Sequence, residues 1–420
     1  MKGFFQLTGR REFMKLLARF RPLERRLVPL EQARGRILYE NIRSPEDLPP
    51  FSRSTMDGFA VRAKDTFGCS ESEPALLQIV GEIPMGSAGQ DIKIEPGQAA
   101  KIWTGGALPA GADSVVMVEF THLVDQETIE VFRPVAPGEN VILQGEDFRE
   151  GEIVFNKGHE LRSQDLGVLA GLGITEAPLF RRPRVAIIST GDELVPPDKK
   201  PGPGQIRDIN STTLAAQVAE AGGVPIGLGI IKDDPETMLE ACEAALEDGA
   251  DILLLSGGSS VGRRDFTLTV FKAVAGTEIL AHGVSIRPGK PTILAKRANQ
   301  ALFGLPGHVA SAMVVFYLFV RPLIRFMAGK ELSIGLPEIT AECSQEIPSV
   351  SGREDFVRVR LQKRPDRQYP EAFPVWGRSG LLRPLVKADG LLIVPRDSEG
   401  LEKGDKARVL LFSPELALSG

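Results

Sequence analysis

The chain has little sulfur chemistry to offer. Its 420 residues include three cysteines, Cys69, Cys242 and Cys343, which are far apart, odd in number and form no C-x-x-C. That excludes a disulfide framework, and with only four histidines it also argues against a structural zinc site. Such usage fits a reducing cytoplasm. An excess of positive charge is missing too. The formal net charge of −5 speaks against a general nucleic-acid or anionic-membrane surface. Long apolar runs are absent. Residues 1–20 mix basic and apolar residues at helical spacing, without the continuous apolar stretch of a signal peptide. The run 309–320 ends at Arg321-Pro322 and reads as a buried helix rather than a membrane span. No G-x-G-x-x-G marks a dinucleotide site, no H-E-x-x-H marks a zinc protease, and nothing argues for a Ser/His/Asp triad.

What is present is an ordinary globular balance, 42% hydrophobic and 25% charged, over a length that suggests about three domains. Residues 8–47 read as a helix followed by a short strand, with residues 28–33 as a further helix start. Residues 48–145 are rich in Pro and Gly, with short β-type runs at 76–80, 100–103 and 114–118, and predict a small β-rich unit. Residues 146–180 return to turns, a short strand and a helix over 163–170. They pair naturally with 8–47 as one discontinuous linking domain, which makes 48–145 an insertion. Residues 181–328 alternate: strands at 184–189, 224–231, 251–255, 292–295 and 301–303, helices at 211–221, 235–247, 266–275 and 309–327. Alternation of this kind predicts a doubly wound, mostly parallel α/β domain with ligands beyond the carboxyl ends of its strands. Residues 331–420 return to β-runs at 356–361, 391–394 and 407–412, consistent with a small sandwich or barrel. The fold class is therefore multidomain α/β plus β.

The segment from Asp251 to Gly262 is the richest in chemistry. An apolar strand feeds a turn holding Ser256, Gly257, Gly258, Ser260 and Gly262, followed by Asp265 and a helix. Exposed backbone N–H groups and a helix dipole suit an oxyanion, yet the same string also serves as a plain strand-to-helix connection. It is not a Walker loop, because Arg263-Arg264 stand where Lys-Ser/Thr is required. Three strand-end loops bring Asp192, Glu193, Asp233, Asp234 and Asp265 toward one rim, where a hard cation such as Mg²⁺ would join carboxylate to phosphate oxygens. Asp234, before Pro235, reads as a helix cap, and Asn210 and Ser211 as caps of the helix they begin. Arg287-Pro288-Gly289-Lys290-Pro291 is either a rigid clamp of two cations for a tetrahedral oxyanion or a solvated turn. Gly304-Leu305-Pro306-Gly307-His308 opens the buried helix, and His308 reads as a capping residue. Asp57, Thr104 and Asp147 read as turn formers.

Taken together, seven strings resemble the molybdopterin molybdenumtransferases, the family of bacterial MoeA and the C-terminal domain of gephyrin. They are Ser54 to Arg62, Ile102 to Gly106, Gly145-Glu146-Asp147, Ser189 to Leu194, Ser256 to Asp265, Arg287 to Pro291 and Gly304 to Gly307, in the family's order. The resemblance implies four domains in a cytoplasmic homodimer. Residues 181–328 would be the molybdopterin-binding domain, shared with the adenylyltransferase of the same pathway, itself a candidate partner. It implies cleavage of adenylylated molybdopterin with release of AMP, and insertion of molybdate at the dithiolene with a divalent cation, Mg²⁺. Glu193, Asp233 and Asp265 would line the pterin-nucleotide site, with Glu193 and Asp265 on the metal. Ser256, Gly257, Gly258, Ser260, Gly262, Pro306 and Gly307 would bind substrate. Asp57, Thr104 and Asp147 would join the catalytic set, across the dimer interface. Arg287, Lys290 and Pro291, with Arg353 and Ser379 of the C-terminal domain, would form the molybdate pocket. The chain departs from the pattern in four places: Gly283 stands where many members carry lysine, Arg287 replaces the commoner lysine, His308-Val309 replace the usual Asn-Pro, and the segment after Asn140 lacks the arginine cluster some members show. A non-catalytic pterin carrier or scaffold, and a nucleotide hydrolase built on the same α/β domain, are the alternatives.

Overall fold

In a computed structural model of the chain, residues 7–87, 91–257 and 266–413 are described. The contacts divide the chain into two units, Leu27–Pro178 and the remainder, Met1–Arg26 with Leu179–Gly420.

The unit Leu27–Pro178 is built on a six-stranded sheet ordered Ser114–Met117, Gly58–Val61, Gln98–Ile102, Ala75–Ile83, Thr128–Val131, Thr121–Leu123. Gly58–Val61 is buried along its whole length because both sheet faces are covered. Phe59 and Val61 enter one cluster with Leu77, Val116 and Ile129, while Ala60 enters another with Ile83, Ile102 and Val115. Flanking the sheet, Ile42–Arg43 pairs antiparallel with Ile153–Phe155, and the helix Ser163–Gly171 follows. The helix start expected at 28–33 is one 3₁₀ turn, Leu30–Gln32, with no side-chain cap. Gly35, at φ 73°, then turns the chain away.

The other unit carries the doubly wound sheet. Its order is Val224–Ile231, Arg184–Thr190, Ile252–Ser256, Gln300–Leu305, Ile293–Arg297, Thr277–His282. The first four are parallel and the last two are joined antiparallel. Successive residues face opposite layers. Ile187, Leu254 and Phe303 pack with the helix Asn210–Glu220 and the long C-terminal helix. Ile188, Leu253 and Leu255 pack under Pro235–Glu247 and Phe266–Ala273. The strand Thr277–His282 was not anticipated; the preceding helix stops at Ala273, and Gly276 at φ 75° reverses the chain into it. The N-terminal helix Arg10–Leu17 belongs to this unit rather than to the linking segments, since Phe13 lies 4.2 Å from Phe319 between ring centroids and both are fully buried.

The apolar segment Val309–Met327 is 19 residues long and apolar enough to cross a membrane by length and composition, but 78% of its apolar window is buried inside the protein. It does not stop at Arg321-Pro322. Pro322 has no N–H to return to the preceding turn, and the helix widens into π-type turns over Phe316–Val320 before resuming as Arg321–Met327.

The C-terminal β-region is a closed five-stranded barrel. Glu354–Gln362 pairs with Glu371–Pro374, that strand with Glu338–Cys343, then Lys406–Leu411, then Gly390–Val394, which returns to Glu354–Gln362. A short strand from the α/β layer, Ile286–Arg287, pairs in parallel with the start of Glu354–Gln362.

Candidate functional site

The parallel strands Arg184–Thr190, Ile252–Ser256 and Gln300–Leu305 end together, and their turns meet. A Cβ on Gly257 would stand 2.3 Å from the carbonyl oxygen of Thr190, and one on Gly307 would stand 3.6 Å from the Cα of Gly257. Gly257, at φ 111°, has the backbone that glycine allows, and its N–H donates to Leu305 O at 3.3 Å. Asn210 locks this junction. Its Nδ2 donates to Ser256 Oγ at 2.6 Å and to Gly307 O at 2.8 Å. A second polar chain runs alongside: Ser211 Oγ donates to Asp208, and Ser189 Oγ lies 2.9 Å from Ser211 Oγ. These buried groups satisfy one another, as buried polar groups must. Thr190 Oγ1 is the exception, buried with no hydrogen-bond partner among the described residues.

Asn210 and Ser211 are therefore not the helix caps expected of them. The cap position is Ile209, and Ser211 N–H is taken at 3.2 Å by Asp208. Asn210, Asp208, Ser189 and Thr190 were missed as site residues. The signal available was the polar run Arg207-Asp208-Ile209-Asn210-Ser211 at the head of an apolar helix.

Of the acidic rim, Asp192 and Asp233 lie on adjoining loops, with Asp233 N–H 3.4 Å from Asp192 Oδ1. The Glu193 carboxylate folds back over Gly191, within 2.8 Å of where a Cβ would be. Asp234 is a helix cap, accepting from Thr237 N at 2.9 Å and Thr237 Oγ1 at 2.7 Å. Those bonds, the backbone one foremost, hold its carboxyl below the usual range. Gly258, Ser260, Gly262 and Asp265 lie outside the described residues. Among the described residues no cluster of three or more His, Cys, Asp or Glu stands ready for a metal ion. Mg²⁺ asks for less, since one or two carboxylates suffice when phosphate oxygens complete the shell. The hard oxygen donors of this rim fit that chemistry.

The cationic loop meets the barrel. Register pairs Ile286 with Glu354 and Arg287 with Asp355. Asp355, its side chain 4% exposed, takes Arg353 Nε at 2.9 Å and Arg287 Nη1 at 3.4 Å. Two guanidiniums 66 positions apart thus share one buried carboxylate. Gly289 holds the loop against the core, because a Cβ there would meet Val315 at 2.6 Å. Val284 N–H donates to Lys290 O at 2.9 Å, Thr292 Oγ1 to Gly289 O at 2.7 Å, and Pro291 is half-buried between them. Gly283, which departs from the family pattern, has φ 94°, a conformation open to glycine and strained for lysine. Ser379 reaches the glycine junction by its backbone: its carbonyl accepts from Ala310 N at 3.2 Å, and a Cβ on Gly380 would lie 3.6 Å from His308. His308 is the cap residue of the helix Val309–Val315 but makes no side-chain cap bond.

In the unit Leu27–Pro178, Asp57 Oδ1 accepts from Thr104 Oγ1 at 2.6 Å and Thr104 N at 2.7 Å. The side-chain bond first, then the backbone one, hold the Asp57 carboxyl below its ordinary range. Asp147 is exposed, with its N–H donating to Leu48 O at 3.0 Å.

Three family models cover this architecture in order: the MoeA N-terminal region (domain I and II) at residues 10–173, a probable molybdopterin binding domain at 186–325, and the MoeA C-terminal region (domain IV) at 340–412. A putative molybdopterin biosynthesis protein of Methanocaldococcus jannaschii is 36% identical over 92% of this chain and 92% of its own length. The chain belongs to the MoeA family of molybdopterin molybdenumtransferases. The molybdopterin molybdenumtransferase of Bacillus subtilis is 33% identical over 92% of the chain and 90% of its own length. A solved MoeA structure from Pyrococcus horikosii matches with a TM-score of 0.84 at 34% identity, covering 97% of this chain and all of that one. The MoeA resemblance read from the seven strings thus holds, as does the multidomain fold of an α/β molybdopterin-binding type domain with a C-terminal barrel.

Proposed function

We propose that the chain inserts molybdenum into molybdopterin, taking the adenylylated pterin and molybdate as substrates and releasing AMP. Breaking a phosphoric anhydride needs positioning and charge compensation more than a nucleophilic side chain. The glycine junction would receive the pyrophosphate: two bare backbones lie close together, locked by Asn210, with Thr190 Oγ1 buried beside Gly257. A buried hydroxyl without a partner, as Thr190 Oγ1 is among the described residues, costs about 1–3 kcal/mol unless another group completes it. Glu193 and Asp265 would hold Mg²⁺, with Asp233 on the same lip. That ion, when bound, supplies the positive charge that lets carboxylates and phosphate oxygens share a site. Asp57, kept ionised by Thr104, and the exposed Asp147 join the catalytic set in a homodimer.

For the oxyanion, Arg287, Lys290 and Arg353 supply cationic donors, with Pro291 and Ser379 alongside. Asp355 aims the two guanidiniums and cancels one of their charges, so that a dianion is held without being trapped. The observation that carries the proposal is this meeting of Arg287 and Arg353 on Asp355, in the unit that also bears the glycine junction. Incubation of the purified protein with adenylylated molybdopterin, Mg²⁺ and molybdate, followed by AMP quantification, tests it. Absence of AMP above background refutes it, and tight binding without turnover identifies a pterin carrier instead.

A further inference from the structure

Away from that site, a cavity of about 520 Å³ opens between the first turn of the helix Arg10–Leu17 and the outer face of the C-terminal barrel. Its volume falls in the range of small-molecule sites, roughly 300–1,000 Å³. The lining holds five cations, Arg10, Arg11, Arg396, Lys406 and Arg408, against two carboxylates, Glu354 and Asp397. That is a local excess of positive charge in a chain whose net charge is −5. Arg10 closes on both oxygens of Glu354, at 2.8 and 3.0 Å, and removes that pair from the balance.

The remaining cations are arranged rather than scattered. Arg396 Nε donates to Gly352 O at 3.1 Å, and its guanidinium lies against Gly9, with Nη1 3.5 Å from where a Cβ would stand. Lys406 and Arg408 alternate with buried Ala407 and therefore share the outer face of their strand. At the rim, Lys406 also sits 4.6 Å above the Tyr369 ring and Arg408 3.5 Å from Glu338. Ile393 and Leu401 add an apolar wall. Like charges lining one cavity repel one another, and guanidiniums match phosphate oxygens in a bidentate fashion. The cavity is separate from the Arg287–Arg353 pair. Glu354 and Asp355 are neighbours on one strand and project to opposite faces, Asp355 toward that pair and Glu354 toward Arg10 and the cavity.

We propose that this cavity binds a small organic polyanion of nucleotide size, with its phosphate groups on Arg11, Arg396, Lys406 and Arg408 and its less polar body against Ile393 and Leu401. The test is isothermal titration of the full chain at low ionic strength, without pterin or molybdate, using inorganic tripolyphosphate in one arm and ADP in the other. Saturable binding is expected in both arms, tighter for ADP. Arg11→Glu and Lys406→Glu should each weaken it by about tenfold or more, as loss of a charge-assisted contact does. Both residues are exposed, and unchanged circular dichroism and melting temperature confirm that each variant folds. No saturable binding of either probe, or binding that both reversals leave intact, overturns the proposal. ADP binding no tighter than tripolyphosphate overturns the organic ligand.

Discussion

Asn210 is the residue whose loss should cost the junction most. It is 9% exposed and gives both of its recorded bonds from one amide nitrogen, to Ser256 Oγ and Gly307 O. Gly307 O can only accept, so the orientation of the amide is forced. In Asn210→Ala both bonds vanish and the buried Ser256 Oγ loses its donor. At about 1 kcal/mol for each bond and up to about a further 1 kcal/mol for the stranded Ser256 oxygen, the cost is about 2–3 kcal/mol. For a unit of this size that corresponds to a melting temperature lowered by about 5–10 °C, read by scanning calorimetry. Asn210→Asp sharpens the test. Its carboxylate would face an acceptor where the amide gave a donor, which raises the folded pKa of the new acid. Such a group is least harmful below its unfolded pKa, where the protonated acid can donate, and loses stability as pH rises through the folded pKa. Asn210→Asp should therefore approach wild type in acid and fall below Asn210→Ala near neutrality. An alanine variant melting within about 1 °C of wild type would refute the role given to this amide.

Other expectations follow from the same geometry. Arg353→Ala and Arg287→Ala should each raise the molybdate concentration needed for half-maximal AMP release by about tenfold or more, the worth of a charge-assisted hydrogen bond, measured in the same assay. Burial pushes the Cys242 thiol up to about 12 and the Cys343 thiol up to about 11. With a disulfide reagent at pH 8, both should react only after unfolding, leaving half-buried Cys69 as the fastest thiol in the native chain. Asp165 is buried and accepts from the Arg162 side chain, the Arg162 N–H and His159, and the Arg162 side chain foremost holds its carboxyl far below the ordinary range. A depressed folded pKa stabilises above the unfolded value and is lost as pH falls through the folded one. Asp165→Asn should therefore lower the melting temperature at neutral pH, with the difference from wild type closing in strong acid.

How much of this was legible beforehand depends on the range of the interaction involved. The strand 224–231 and the helix 235–247 were read to the residue, because hydrophobic alternation, Asp234-Pro235 and flanking glycines are local signals. The strand Thr277–His282 was hidden because it lies at a sheet edge, mostly half-buried, and its apolar run Ile279-Leu280-Ala281 is only three residues long. Asn210 read as a cap because a polar residue at a helix start usually is one. Its true partners lie 46 and 97 positions away, where no local pattern points. Arg287 and Arg353 were named together through family resemblance alone. The carboxylate that joins them, Asp355, went unremarked, since a parallel pairing across 68 positions leaves no trace in spacing.

That pairing has a mechanical corollary. Glu354–Gln362 is hydrogen-bonded to two barrel neighbours and, at its first residues, to Ile286–Arg287. The α/β layer and the barrel are thereby stitched next to the two arginines, and the backbone positions that carry them cannot move apart without tearing a ladder. If the two arginines hold a mineral oxyanion as proposed, a change in the preferred ion would come through exchange of side chains rather than through separation of the two backbones.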